Sequence, residues 1–107
     1  MIKLDLRNLT PELVAKTRPN MGGCRYSAPC IIGALMEPAD RERFDMPTWI
    51  YSDGVDSVSR LIDGGEIEFP TAEEGHLANL LQEAFDCRYV DRFDRLMEDV
   101  YKLKVPA

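Results

Sequence analysis

A chain of 107 residues has the length of one domain, 1–107, and with 45% apolar residues it holds enough core-forming material to exclude disorder. Its net charge is −6, and residues 53–74 alone carry a net −6, so this stretch repels phosphate and attracts basic surfaces. The longest apolar run, Ala28 to Met36, is broken by Pro29 and Gly33. It falls well short of the ~20 residues that a membrane-spanning helix needs.

The N-terminus, MIKLDLRN, has no apolar stretch of signal-peptide length. The cysteines Cys24, Cys30 and Cys87 are odd in number, which fits a reducing compartment better than a disulfide framework. A cytoplasmic location is expected.

Ile2, Leu4 and Leu6 alternate with Lys3, Asp5 and Arg7, the pattern of a short strand. Thr10 followed by Pro11 opens a helix: a capping hydroxyl, then a proline at the first helical position. Pro19 closes it near Thr17. Residues 19–26, PNMGGCRY, read as a loop. Ser27 caps the next segment, whose Cys30, Ile31, Ile32, Ala34, Leu35 and Met36 are apolar on nearly every side. Such a helix belongs at the centre of a small domain.

Pro38 opens a short polar helix to Phe44, and Met46-Pro47 ends it. Trp49, Ile50 and Tyr51 read as a strand, aromatic and β-branched. After a turn at Ser52-Asp53-Gly54, Val55, Val58, Leu61 and Ile62 form a helix face. Gly64-Gly65 ends that helix by supplying positive φ. Ile67 and Phe69 alternate with Glu66 and Glu68 in a further short strand closed by Pro70.

Thr71 and Glu74 form a capping box for a helix bearing Leu77, Leu80, Leu81, Ala84 and Phe85. Asp91 caps the last helix, with Phe93, Leu96, Met97 and Val100 on its apolar face. Lys102 and Lys104 suit its negative end. The expected fold is α+β and mainly α. It has five or six short helices around a buried helix at 28–36, with a small two- or three-stranded antiparallel sheet from about 2–6, 49–51 and 66–69.

Catalytic and metal chemistry find little support in the residue spacing. Cys24 and Cys30 are too far apart for the usual zinc-ligand turn, and Cys30 is flanked by core residues. His76 is the only imidazole and has no partner signal, so neither a Cys–His nor a Ser–His pair is indicated. Glu66 and Glu68 share a strand face and are expected in solvent. Neither glycine pair opens a phosphate-binding helix. The expectation is a non-enzyme with no catalytic residue, no metal and no cofactor.

The segment SVSRLIDGGEIEFP, Ser57 to Pro70, resembles the recognition helix and turn of excisionase-type winged helix-turn-helix proteins. That resemblance implies a small DNA-binding regulator reading through Arg60. However, DNA contact needs a basic footprint, and here a lone Arg60 stands among Asp56, Asp63, Glu66 and Glu68. Direct nucleic-acid binding is therefore the alternative reading. Three phrases together are similar to small phage and prophage accessory proteins: Cys-x-x-Gly-Ala in SAPCIIGALM, Leu-Ile-x-x-Gly in Ser57 to Pro70, and Leu-Gln-x-Ala-Phe-Asp in LLQEAFDCRYVDRF. This resemblance implies a compact accessory protein of a mobile element and carries no catalytic residue over.

The leading expectation is a protein-binding accessory protein, an inhibitor of the anti-defence or anti-CRISPR type. It would engage a basic, nucleic-acid-handling partner through Asp53, Asp56, Asp63, Glu66, Glu68, Glu73 and Glu74. The competing assignment for these acids is a solvated face that keeps the protein soluble. Trp49, Tyr51, Tyr26 and Tyr89 are candidates for a homo-oligomer contact, against an ordinary core role for Trp49.

Overall fold

The computed structural model describes residues 1–22, 30–44 and 58–104. Among the described residues, five α-helices carry the fold: α1 (Pro11–Thr17), α2 (Pro38–Phe44), α3 (Val58–Asp63), α4 (Ala72–Asp86) and α5 (Val90–Lys102). Two short strands, β1 (Ile2–Lys3) and β2 (Ile67–Glu68), make a two-stranded sheet. The α+β, mainly helical class expected from the sequence is the class found.

The helix ends follow their sequence signals. Thr10 Oγ1 accepts from Leu13 N at 3.2 Å and Pro11 opens α1. Thr71 Oγ1 accepts from Glu74 N at 3.1 Å at the start of α4. α3 closes in a Schellman arrangement: Glu66 N donates to Leu61 O at 2.9 Å and Gly65 N to Ile62 O at 3.0 Å. Gly65 has φ +73°, a conformation that costs glycine little and other residues about 1–2 kcal/mol.

Three expectations are corrected. First, the sheet is parallel, with Ile2 opposite Ile67 and Lys3 opposite Glu68. All of α1 to α3 lies between the two strands, and so long a helical crossover suits parallel pairing. β1 also stops before Leu6, because Asp5 Oδ1 accepts from Arg7 N at 2.9 Å and starts a 3₁₀ turn at Leu6–Asn8. The proposed strand at 49–51 lies outside the described residues.

Second, residues 30–36 are not an α-helix. They form turns ending in a 3₁₀ segment at Gly33–Leu35. Side chains supply acceptors that a helix would take from its own backbone. Gln82 Oε1 of α4 accepts from Ile32 N at 3.0 Å, and Cys30 Sγ accepts from Gly33 N at 3.2 Å. The central placement does hold, since Cys30, Ile31, Ile32 and Met36 are all buried. Residues 28 and 29 lie outside the described residues.

Third, Asp91 does not cap α5. The capping position belongs to Tyr89, and Asp91 sits in the first turn, where its charge still suits the helix dipole.

The core gathers around α4, which packs against α5 and against α3. Ala78, Leu81, Ala84 and Phe85 of α4 are buried, as are Phe93, Met97 and Val100 of α5. The Phe85 and Phe93 rings stand 5.9 Å apart and tilted at 58°, a favourable aromatic arrangement. Gln82, buried in the same helix, joins this core to the 30–36 turn. Its Nε2 donates to Asp86 Oδ1 at 2.8 Å while its Oε1 holds Ile32.

Candidate functional site

Of the seven carboxylates named from the sequence, the five that are described do not form one surface. Asp53 and Asp56 lie outside the described residues. Glu66 is tied to Arg43 of α2 in an ion pair. Glu74 is only 4% exposed, and its Oε1 lies 2.8 Å from Arg7 Nη1. The capping box is therefore half made: Thr71 takes the Glu74 amide, while the Glu74 carboxylate turns to Arg7. This leaves Asp63, Glu68 and Glu73 exposed, and none of the three makes an ion pair among the described residues.

Arg7 is the centre of a clamp. Its Nη1 also lies 3.2 Å from Asp5 Oδ1, and its Nε donates to Leu103 O at 3.3 Å. The 3₁₀ turn after β1 is thereby fastened to α4 and to the end of α5. Lys104 Nζ adds a second tie by donating to Leu9 O at 2.7 Å. The hydrogen bonds that Arg7 donates to the Asp5 and Glu74 carboxylates raise the guanidinium pKa above its ordinary value. The clamp cation therefore stays charged across the working pH range. The second oxygen, Glu74 Oε2, is buried without a hydrogen-bond partner among the described residues.

Asp63 and Glu68 stand instead on a cleft of about 380 Å³ between α3, β2 and α4. Ile62, Ile67 and Phe69 give it apolar walls, and Ala72, Gly75, His76 and Asn79 of α4 form the opposite side. Gly75 sets how closely these walls approach: a Cβ there would lie 3.1 Å from Ile62 Cδ1 and 3.9 Å from Phe69 Cδ2. Asn79 Oδ1 accepts from Ser59 N at 3.0 Å and pins the start of α3 to α4. No lysine or arginine occurs among the described residues that line the cleft. Glu73 follows Ala72 in the first turn of α4, and Lys3 stands in register beside Glu68 without forming an ion pair.

The sequence reading missed the cleft because its parts are apolar residues assigned to core faces. One signal was available. Gly75 sits inside a helix, where glycine costs about 1 kcal/mol relative to alanine, and a close helix contact compensates that cost.

Nucleophilic and metal chemistry find no assembled groups among the described residues. Cys30 is buried, and Cys87 is exposed at the end of α4. His76 and Cys87 are eleven positions apart along that helix and its cap, about 16 Å by the helical rise. No group of three or more His, Cys, Asp or Glu is placed to hold a metal ion among the described residues. Cys24 lies outside them. No described helix is long and apolar enough to cross a membrane. No protein family, curated protein or solved structure matches this chain.

Proposed function

We propose that this chain is a small, non-enzymatic, cytoplasmic binding protein that engages a basic protein partner through the acidic face at α3, β2 and the start of α4. The observation that carries this reading is the exposure of Asp63 and Glu68 on a cleft without a lysine or arginine among its described lining residues, with Glu73 exposed in the first turn of α4. Charge complementarity of this kind speeds encounter and fixes orientation. Asp53 and Asp56 extend the same acidic stretch in sequence. The similarity of three sequence phrases to phage accessory proteins supports an accessory role, with inhibition of a nucleic-acid-handling host protein as its specific form.

Two proteins tagged alike, the native chain and the Asp63→Asn/Glu68→Gln/Glu73→Gln variant, test this reading by capture from a cell lysate. The native chain should retain basic proteins that the variant loses. Those proteins should elute as salt is raised toward 1 M, where the screening length falls to about 3 Å. Retention of the same proteins by both, at the same salt, sinks the proposal. Retention of nucleic acid by both proteins, more strongly by the less acidic variant, would instead support the Arg60-centred regulator.

A further inference from the structure

We infer that the cleft between α3 and α4 takes one apolar side chain from a linear basic segment, with the cations of that segment falling on Asp63 and Glu68. This rests on the acidic-face reading above and adds what charge alone does not specify, namely a side-chain pocket beside the charges. The cleft's volume of about 380 Å³ lies at the small end of the ~300–1,000 Å³ typical of ligand pockets. It suits a side chain and its neighbours better than a folded surface.

The lining divides by chemistry. The half-buried Ile62 and the exposed Met1 offer apolar contact, backed by Ile67 and Phe69, while Asp63 and Glu68 also line the cleft and are exposed. Ile67 and Phe69 are themselves almost fully buried, so the inner wall is held by the core. Gly75 fixes the distance between the helices that form it. A ligand carrying only cations would leave the apolar walls wet, and one carrying only apolar groups would leave the two exposed carboxylates unmatched. A leucine or methionine flanked by lysines or arginines satisfies both.

A fluorescein-labelled peptide with the central sequence Lys-Lys-Leu-Lys-Lys, and its Leu→Ser counterpart, separate these contributions in an anisotropy titration at low ionic strength. Burying the leucine should make the first peptide bind about tenfold tighter or more. Ala72→Trp places a bulky group on an exposed position of the cleft wall, where little disturbance of the fold is expected. It should bring the leucine peptide down to the affinity of the serine peptide and leave the serine peptide unchanged. Asp63→Asn/Glu68→Gln should weaken both peptides alike.

Equal binding of the two peptides overturns the pocket. If that equal binding is still lost in the charge variant, the acidic-face reading survives. Absence of binding by either peptide overturns both. As a positional check, the titration should shift the amide resonances of Ile62, Glu68 and His76, and shifts confined to other acidic residues would count against the cleft.

Discussion

Glu73 and Glu74 are neighbours in the first turn of α4, and their surroundings are opposite. Glu74 faces inward to Arg7 and is nearly inaccessible, while Glu73 faces water. A helix turns by about 100° per residue, so adjacent residues address different faces. The clamp and the exposed acidic face thus draw acids from the same few residues for different purposes. In the clamp, a carboxylate shielded from water needs its cation. On the exposed face, carboxylates remain hydrated and available. A segment's net charge adds the two kinds together, whereas only the second kind is open to a partner.

The largest expected effect removes the support that the two regions share. Phe85 is fully buried in α4 against Phe93. Phe85→Ala should cost about 3–5 kcal/mol in urea denaturation, and a change under ~1 kcal/mol would mean that α4 is not the centre of the core.

Next in size is the clamp. Arg7→Met leaves the buried Glu74 carboxylate without its cation and should lower the thermal midpoint clearly. Glu74→Met should lower it less, because the Arg7 side chain is 41% exposed, can turn to water, and keeps Asp5 and Leu103 O. The double variant should recover part of the loss, since no unpaired carboxylate is then buried, while the ties of Arg7 to Asp5 and Leu103 O stay lost. Additive losses in this cycle would show that the two side chains are not coupled.

The exposed acidic face should behave in the opposite way. Glu73→Gln and Asp63→Asn should each change stability by no more than about 0.5 kcal/mol, as exposed substitutions generally do. If either destabilises as much as Arg7→Met, the acidic face is structural and the contrast with the clamp fails.

Much of the secondary structure was legible because it is encoded locally. Thr10-Pro11, Thr71 and Gly64-Gly65 each set a helix end through bonds to backbone groups within a few residues. What was not legible depends on distant partners. The apolar run at 30–36 looked helical, but Gln82, more than forty residues away, supplies an acceptor to Ile32 N and helps hold it as a turn. The parallel register of Ile2 with Ile67 depends on how the intervening helices return the chain. For the acidic site, the sequence identified the residue types but not their partners. Arg7 and Arg43 reach Glu74 and Glu66 from well outside the acidic segment.

A smaller effect, at the far end of α4, sharpens the comparison by touching neither region. α4 closes with Tyr89 N donating to Ala84 O at 2.9 Å and Arg88 N to Phe85 O at 3.2 Å, the bonding of a Schellman motif. Glycine usually occupies its left-handed position, yet here that position is Arg88 at φ 57°. This conformation costs an L-residue about 1–2 kcal/mol. Glycine would remove that strain while adding about 0.4–1 kcal/mol of entropy to the unfolded chain. The net expectation for Arg88→Gly is a gain of about 0.5 kcal/mol. The gain is held down because the Arg88 side chain packs over Gly22, where a Cβ would lie 2.7 Å from its Cδ. Peptide binding at the cleft should not change. A loss of stability instead would show that the contact with Gly22, whose amide donates to Phe85 O at 2.9 Å, outweighs the strain and that Arg88 is held there by packing.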